Sequence, residues 1–480
     1  MKSLDGLVLE SDQSIRAAMQ LLDANARGIL FVTENKKLIG VATDGDIRRS
    51  LLVGFNLDSN IKNAMNSKFT ALPVSSDSLL IRKTFSSELR MIPLCDDSGN
   101  LVDVADVQRS HRIPLLEPDL SGRELEYVTE CIQTNWISSQ GTFVRRFEEQ
   151  FEEMHPGEYA LAVSNGTVAL HLALHALGIG EGDEVIVPDV TFAATINAVF
   201  FCNATPVLCE IDPDTLCIDV KEAEKLITNK TKAVIPVHLY GQPCDMDALG
   251  DLALKYNLLV VEDCAEAIGS RWGDKPVGVF GDAATFSFYG NKTISTGEGG
   301  MLLFRNKEVY EYAKILRDHG MTPGKKYWHD QIGFNYRLTN IQAAIGVGQM
   351  ERIEFILEKK RKVATLYKNI LVNTPGIFKL PEIIPSTQHS NWLYTVLLDQ
   401  EVDRDVVIKE LLDLGVECRP LFHPLHIMPP YKKLKKSNSL VCSETISLSG
   451  ISLPTSVSLT HQEMQYIGES LKGVLANLVH

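Results

Sequence analysis

Short apolar segments alternate with helix-length segments through the middle of the chain, and this alternation constrains the fold most strongly. The apolar, β-rich segments lie at residues 159–163, 184–188, 233–237, 258–261 and 284–288. Strands that are apolar throughout are typical of parallel sheets, because helices cover both faces of such sheets. The pattern therefore predicts an α/β fold with a largely parallel sheet flanked by helices.

Length and charge narrow the class of protein. A chain of 480 residues is too long for a single core, so we expect about three domains. The net charge of −14, without a dense basic stripe, argues against a non-specific nucleic-acid binder. The chain starts without an apolar signal core, and no apolar run reaches the roughly 18 residues of a membrane span. We therefore expect neither a nucleic-acid nor a membrane partner.

The cysteine pattern bears on the compartment. Nine cysteines are scattered singly, without a Cys-x-x-Cys pair. Such a pattern is typical of buried thiols in a reducing environment, and it indicates neither a disulfide framework nor a zinc site. We therefore expect a cytoplasmic protein without a resident metal.

The first 110 residues contain a weak internal repeat. Residues 27–43 align without gaps on residues 90–106. Each copy predicts a helix, a strand, a polar turn and a second strand. Units this short bury little alone, so the two copies have to pack together. Residues 111–119 contain two prolines and no clear period, which indicates a linker.

Polar and aromatic residues follow the predicted strands, where parallel sheets bind their ligands. The turn SNGT at residues 164–167 opens an apolar helix, so its backbone N–H groups predict an anion site, although an ordinary helix cap also explains it. Phe192 offers a ring to stack on a planar cofactor, unless it is a core residue. Asp263 is a strand-end carboxylate that could pair with the pyridine nitrogen of pyridoxal phosphate (PLP), unless it caps a helix.

Lys292 lies among small and hydroxylated residues, ahead of the glycine-rich segment GEGG at residues 297–300. A lone lysine is usually a solvated surface charge. A lysine enclosed beside a cofactor can instead form a Schiff base, and glycines let the backbone approach that cofactor closely. An anion-binding turn, an aromatic ring, a strand-end carboxylate and this lysine follow one another on successive strands. Together they predict a PLP site.

From about Ile113 to its end, the chain resembles the DegT/DnrJ-type, PLP-dependent nucleotide-sugar aminotransferases of fold type I. The resemblance implies a large PLP-binding domain at residues 120–365 and a smaller α/β domain at residues 366–480. Seven matching motifs carry it, which are NWISS (135–139), SNGT (164–167), HLYG (238–241), EDCAE (262–266), SFYGNK (287–292), GEGG (297–300) and GFNYRLTN (333–340).

The resemblance implies a role for each cofactor-binding residue. Lys292 would hold PLP covalently and, once freed, would act as the base that moves a proton. Asp263 would hold the pyridine nitrogen, Glu266 would approach the ring hydroxyl, and Phe192 would stack on the ring.

The phosphate contacts implied by the resemblance come from two subunits. Asn335 of the neighbouring subunit would contribute to the site, so a homodimer with a shared active site is expected. The contacts from the same subunit would be Gly166, Thr167 and Ser287.

The resemblance also implies a ping-pong transamination with an amino-acid donor, L-glutamate by family habit. Motifs at residues 288–294, 327–329 and 419–426 are most similar to those of GDP-perosamine synthases, which favours GDP-4-keto-6-deoxymannose as the keto sugar. A UDP- or dTDP-linked sugar, a 3-keto group, or a nucleotide-sensing binding protein with an inactive PLP fold are the alternatives. A dehydratase branch of the family carries histidine in place of the lysine, and Lys292 argues against it.

Three polar residues are candidates for the sugar-nucleotide pocket. They could equally be structural polar residues near a domain boundary. These residues are His329, Arg419 and His426.

Residues 38–49 resemble the end of a CBS motif, and residues 1–110 resemble an α+β CBS-domain pair. In that family Thr43 and Asp46 would bind the ribose of an adenine nucleotide. In the second copy Asp106 aligns with Thr43 and Asp103 with Gly40. A carboxylate there would repel a nucleotide, so we expect no ligand in the second copy. A docking or dimerisation module without any ligand is an equally good interpretation of the pair.

Overall fold

The computed structural model of the protein describes residues 4, 6–25, 27–76, 80–81, 84–86, 89–106, 113–381 and 384–478. Two compact units make up the chain, Met1–Ile113 and Pro114–His480. The end of the expected CBS pair, residues 107–110, and residues 111–112 of the expected linker lie outside the described residues. Within the described part, no helix is both long and apolar enough to cross a membrane.

The first unit contains two three-stranded sheets of the same topology. In each sheet the first strand pairs in parallel with the second, and the third runs antiparallel to the second. The predicted repeat is therefore present as two similar sheets, although part of the helix expected before the second one falls outside the described residues. The strands are β1 (Val8–Glu10), β2 (Ile29–Glu34), β3 (Lys37–Thr43), β4 (Leu72–Pro73), β5 (Met91–Cys95) and β6 (Leu101–Asp106), and helices Ile15–Asn25 and Asp44–Leu52 accompany the first sheet.

The two copies in the first unit pack against each other. Phe31 and Leu38 of the first copy share a buried apolar cluster with Met91 and Leu101 of the second. The backbone N–H of Leu38 also donates to the carbonyl of Gly99 at 3.1 Å. Each copy thus covers apolar surface that the other could not bury alone.

The second unit is built on a seven-stranded sheet with the order β7-β15-β14-β11-β10-β8-β9. Every neighbouring pair is parallel except those made by β15, which is antiparallel to both its neighbours. The prediction of a largely parallel sheet is confirmed. The strands are β7 (Tyr159–Val163), β8 (Glu184–Pro188), β9 (Thr205–Cys209), β10 (Thr231–Val234), β11 (Leu259–Asp263), β14 (Ala283–Ser287) and β15 (Gly300–Phe304), with the short strands β12 (Arg271–Trp272) and β13 (Lys275–Pro276) between β11 and β14.

Helices cover both faces of this sheet, because alternate strand residues point to opposite sides. Leu161 and Val163 of β7 pack in one buried cluster with helices Gly166–Ala176 and Lys307–Arg317. Ala160 and Ala162 of the same strand pack in another. Helices around the sheet also include Glu124–Gln133, Thr142–Met154, Ala193–Phe201, Val220–Leu226, Met246–Tyr256 and Asn340–Met350.

A four-stranded antiparallel sheet with the order β16-β18-β20-β19 forms the C-terminal part of the second unit. The expected domain boundary between residues 365 and 366 falls inside one continuous helix, Ile353–Leu371. The strands here are β16 (Ile377–Lys379), β17 (Thr387–Gln388), which pairs with β12, β18 (Tyr394–Leu398), β19 (Arg419–Pro420) and β20 (Gly450–Leu453), and the helices are Arg404–Asp413, Val441–Ser449 and His461–Leu478.

Candidate active site

Lys292 lies in the loop that joins β14 to β15. Its side chain is only 14% exposed, and its Nζ lies 3.4 Å from Oε1 of Glu266. The same nitrogen lies 4.0 Å from the centre of the Trp392 ring. The loop turns at Gly297, whose φ of 84° is a conformation that favours glycine. The lysine is therefore enclosed between a carboxylate and an aromatic face, and it is not a solvated surface charge.

Two carboxylates at the end of β11 face this lysine. Asp263 accepts a hydrogen bond from the Thr195 hydroxyl at 2.8 Å, and Glu266 accepts one from the backbone N–H of Tyr240 at 2.9 Å. Burial raises the pKa of both carboxyls, whereas the positive charge of Lys292 opposes that rise. The structure thus brings Asp263, Glu266 and Lys292 into one buried cluster.

Glu262, the residue before Asp263, binds backbone groups of a neighbouring loop. Its carboxylate accepts hydrogen bonds from the backbone N–H groups of Gly278, Phe280 and Gly281, each at 2.8 Å. It also accepts one from Nε2 of His238 at 3.1 Å, since Nδ1 of that histidine accepts from a backbone N–H. Burial favours a raised pKa, but these donors hold the pKa of Glu262 below its ordinary value. Glu262 therefore anchors a loop, and Asp263 is the carboxylate left for the site.

The predicted anion site lies where helix Gly166–Ala176 begins. Gly166 and Thr167 are its first two residues, whose N–H groups have no partner within the helix. A Cβ on Gly166 would lie 2.9 Å from the Cβ of Ser287 at the end of β14, and a Cβ on Gly300 would lie 2.6 Å from a carbonyl oxygen. Asn165 caps the helix through the N–H of Val168. The start of this helix therefore agrees with both interpretations. Asn165 caps the helix, and the closely packed backbone at Gly166 and Gly300 forms the cradle expected for an anion.

Phe192 precedes helix Ala193–Phe201, and 61% of its surface is exposed. It is therefore not a core residue, which was the alternative interpretation of its sequence. One helical turn later, Thr195 bonds both Asp263 and the hydroxyl of Thr191. The ring of Phe192 lies 6.0 Å from that of Phe422, at the start of the helix whose Thr195 binds Asp263.

Tyr240 and Trp392 complete the enclosure and were not singled out from the sequence. Tyr240 has a φ of 55°, unusual for a bulky residue, and its ring lies 5.9 Å from that of Trp392. The indole N–H of Trp392 donates to the carbonyl of Asn291 at 2.7 Å. Tyr240 belongs to the HLYG motif, so a signal for it existed, whereas Trp392 carried none.

The other sequence-predicted residues contact groups of their own surroundings. Nδ1 of His329 lies 2.9 Å from the carbonyl of His319, and Arg419 pairs with Glu417 at 3.3 Å. The amide oxygen of Asn335 accepts hydrogen bonds from the guanidinium group of Arg337. These three side chains lie in exposed or partly exposed segments, open to a ligand or a second subunit.

His426 differs from these residues because it is buried. Its Nδ1 lies 2.6 Å from Asp189 and its Nε2 lies 3.0 Å from Glu444. Burial raises the pKa of Asp189, while the bond to His426 opposes that rise. Both ring nitrogens are already engaged, which favours the structural interpretation of this histidine.

Thr43 and Asp46 of the first unit form a capping box at the start of helix Asp44–Leu52. The Thr43 hydroxyl lies 2.6 Å from Oδ2 of Asp46, and the Asp46 N–H donates back to that hydroxyl at 3.3 Å. Asp106, the residue aligned with Thr43, pairs with Arg27 at 2.9 Å and so joins the two copies. Thr43 and Asp46 therefore cap the helix, and Asp106 joins the two copies.

The residues around Lys292 fit PLP. That cofactor needs a lysine, a strand-end carboxylate for its pyridine nitrogen, an open aromatic face and an anion cradle. Lys292, Asp263 and Phe192 supply the first three. The helix start at Gly166 supplies the fourth, and the close approach there leaves no room for a side chain. Fold and site together define a PLP-dependent transferase of fold type I.

The chain belongs to the DegT/DnrJ/EryC1/StrS aminotransferase family, whose sequence profile matches residues 118–472. It is 46% identical over 366 residues to a GDP-perosamine synthase of Caulobacter vibrioides, which covers 76% of this chain and 98% of that protein. It is 45% identical over 359 residues to one of Escherichia coli O157:H7, which covers 75% and 97%. Residues 5–53 match the CBS domain profile.

Solved structures agree with this assignment. PseC of Helicobacter pylori, an aminotransferase of pseudaminic acid biosynthesis, superposes with a TM-score of 0.73 at 28% identity over 76% of this chain and 100% of its own. The PLP form of Spr1654 from Streptococcus pneumoniae gives 0.72 at 27% identity, with 77% and 100% covered. The protein is thus a PLP-dependent sugar aminotransferase with a CBS domain at its N-terminus.

Proposed function

We propose that this enzyme transfers an amino group from L-glutamate to the 4-keto carbon of GDP-4-keto-6-deoxymannose and thereby forms GDP-perosamine. One observation carries the choice of substrate. Three GDP-perosamine synthases, from Caulobacter vibrioides, Escherichia coli O157:H7 and Vibrio cholerae, are 43–46% identical to this chain over 97–98% of their own lengths. The aminotransferase family profile begins at residue 118, after the CBS match at residues 5–53.

Lys292 carries the proton in the proposed reaction. PLP, when bound, supplies the carbonyl that receives the amino group and the ring that accepts electrons. The Nζ atom of Lys292 would hold the cofactor and, once free, would move a proton between the substrate carbon and the cofactor carbon. Glu266, 3.4 Å from Nζ, keeps a negative charge close to the lysine when it is ionised. The indole of Trp392 shields the other side from water.

Asp263 and the glycine-lined cradle orient the cofactor in this proposal. The Asp263 carboxylate, held by Thr195, would bind the pyridine nitrogen, and Glu266 would approach the ring hydroxyl. Phe192 would stack on the ring face. Gly166, Thr167 and Ser287 would bind the phosphate through backbone N–H and hydroxyl groups.

We further propose a homodimer in which Asn335 of one subunit reaches the phosphate of the other. Exposed side chains a few residues before Asn335 in the chain support this proposal, since Tyr327 is 87% and Ile332 is 92% exposed. Exposed apolar clusters of this kind mark interaction surfaces. His329 lies in the same segment, and Arg419 is the first residue of β19, so both remain proposed substrate contacts. The buried His426 is better suited to holding Asp189.

A product panel tests the substrate. Purified enzyme, PLP and L-glutamate are incubated with GDP-, UDP- and dTDP-linked 4-keto-6-deoxy sugars and with a 3-keto sugar, and the products are weighed by mass spectrometry. We expect the mass of an amino sugar with the GDP substrate only. Turnover of another sugar would correct the substrate, and no turnover at all would favour the nucleotide-sensing binding protein.

The lysine assignment has its own test. Borohydride reduction followed by peptide mapping should fix the chromophore at Lys292. Lys292→Ala should lower transamination by about 10²- to 10⁴-fold or more while the circular dichroism spectrum is unchanged, because the base is lost and the fold is not. Label on a different lysine, or retained turnover, would refute this role.

For the first unit we propose an adenine nucleotide bound near Thr43 and Asp46. The capping box orients both side chains, and the CBS match at residues 5–53 supports the proposal. Calorimetry with ATP, ADP and AMP on wild type and Asp46→Asn should show heat that the variant weakens. Absence of heat with all three would leave a docking role. The nine free cysteines agree with a reducing compartment, so we propose the cytoplasm as the location.

A further inference from the structure

Lys360 is a lysine buried in the middle of helix Ile353–Leu371. Only 1% of its surface is exposed. Its Nζ donates to the carbonyl oxygens of Trp392 at 3.2 Å and Thr455 at 3.1 Å, and to the Thr455 hydroxyl at 3.4 Å. An ammonium group has three donors, and all three meet an acceptor here.

The acceptors of Lys360 are neutral oxygens, so the charge has no carboxylate to balance it. Burial lowers the pKa of Lys360 to about 7. Burying an amine without a carboxylate partner costs free energy, and the hydrogen bonds to Trp392 and Thr455 have to offset that cost. The placement of this lysine therefore calls for an explanation beyond packing.

One of the residues that Lys360 contacts, Trp392, also contacts the active-site lysine. The carbonyl of Trp392 accepts hydrogen bonds from Lys360 and, at 2.7 Å, from the Thr455 hydroxyl. The indole of the same residue donates to the carbonyl of Asn291 and lies 4.0 Å from Nζ of Lys292. The backbone of Trp392 is thus held on one side while its ring contacts the reactive lysine on the other.

We propose that Lys360 is a positioning residue for transamination: it holds the main chain of Trp392, so that the indole covers Lys292 and binds the carbonyl beside it. The inference rests on the role proposed above for Lys292. Tyr367 lies on the same helix and donates to the carbonyl of Pro454 at 2.8 Å. Tyr367 thus anchors the helix to Pro454 independently, whereas the contacts of Lys360 are with Trp392 and Thr455.

Two variants test the proposal in the holoenzyme. Lys360→Met removes the donors and keeps the length, whereas Lys360→Arg keeps a buried cation with several donors. We expect Lys360→Met to shift the pH midpoint of the visible absorption of the lysine-bound cofactor. It should also lower kcat roughly 10- to 100-fold, the scale of a misplaced reacting group, with less change in KM for glutamate. Lys360→Arg should restore most of both.

A merely structural role would give another result. Lys360→Met would then lower Tm but leave the absorption midpoint and the kcat of the folded enzyme unchanged, which would overturn the proposal. If Lys360→Met does not fold, Thr455→Val removes the hydroxyl that links Lys360 to Trp392, and it should move the midpoint away from the wild-type value. An unchanged midpoint in Thr455→Val would then be the contrary result.

A double-mutant cycle locates the effect. Trp392→Phe keeps a ring but loses the N–H bond to Asn291. If Lys360 acts through Trp392, the double variant should be little worse in kcat than the poorer single variant. Losses that simply multiply would overturn the proposal. Borohydride labelling at Lys292 in the wild type is measured first, so a failure of the lysine assignment is distinguished from a failure of the positioning role.

Discussion

The Thr195 hydroxyl donates a hydrogen bond to Oδ2 of Asp263 at 2.8 Å, and both residues are buried. Burial raises the pKa of Asp263, whereas this bond favours the ionised carboxylate. Only an ionised carboxylate can pair with a protonated pyridine nitrogen. Thr195 therefore helps to decide whether Asp263 can serve the cofactor at all.

Thr195→Val should weaken cofactor binding and lower kcat. Valine has the same shape without the hydroxyl, and a hydrogen bond to a charged group contributes about 1.5–3 kcal/mol, or roughly 10- to 100-fold in affinity. Spectroscopic titration with PLP and steady-state kinetics measure the two effects. Thr195→Ser, which keeps the hydroxyl, is the control and should stay close to wild type. Equal affinities for PLP in both variants would contradict this account.

Gly300→Ala should destabilise the enzyme and reduce its affinity for PLP. The added Cβ would lie 2.6 Å from the carbonyl oxygen of Asn165, so the phosphate cradle would have to open. Overpacking of this kind costs about 1–3 kcal/mol. Thermal unfolding with and without PLP measures it. Gly250→Ala is the control outside the site, because its Cβ would meet nothing within 4 Å. A Gly300→Ala variant as stable as that control would count against the cradle.

Mixing two impaired variants, one in Lys292 and one in Asn335, should restore activity if the active site is shared. Asn335→Ala is expected to lose tenfold or more in kcat/KM, by roughly the contribution of a hydrogen bond to a charged phosphate. A mixed dimer of Lys292→Ala and Asn335→Ala would contain one complete site. After denaturation and joint refolding, about a quarter of wild-type activity is expected from random pairing in a two-fold dimer. No recovery would place Asn335 in the site of its own subunit.

Acid should destabilise the protein through its buried histidines. His155 is 1% exposed and donates from Nδ1 to the Phe151 carbonyl at 2.9 Å. Burial lowers its pKa to about 4 from 6.5. Between these values the unfolded chain binds more protons than the folded one, so stability is lost as the pH falls from about 6.5 towards 4.

Removing this histidine should flatten the acid side of the stability curve. In His155→Gln we expect the loss between pH 7 and pH 5, measured by urea unfolding, to shrink by about 2 kcal/mol. His461 is exposed at the surface, so His461→Gln serves as the control and should leave the loss unchanged. The same pH dependence in His155→Gln and wild type would contradict this prediction.

Local sequence patterns predicted much of the fold. The segments 159–163 and 184–188, predicted from apolar runs, are strands β7 and β8 with the same limits. The expected boundary at residue 365 instead falls inside helix Ile353–Leu371. When one helix continues across a domain boundary, its periodic apolar pattern also continues, so the sequence shows no break at the boundary. The boundary at residue 365 therefore stays a prediction.

The active-site residues likewise differ in whether the sequence indicated them. Asp263 and Lys292 stand at strand ends within short motifs, so the sequence indicated them directly. The separate tasks of Glu262 and Asp263 did not follow from their order, because they depend on the Gly278–Gly281 backbone that meets Glu262. Trp392 was missed because its partner Asn291 lies 101 residues away in the chain.

The sequence by itself determined the sheet type, the cofactor class and the family, since strand periodicity and short motifs are local. The tertiary structure alone decided what surrounds Lys292: the Trp392 ring, the Glu266 carboxylate held by Tyr240, and the Lys360 ammonium behind them. These contacts join segments that are remote in the chain. Close packing of the sheet, the loops and helix Ile353–Leu371 brings them together, and no local pattern records such packing.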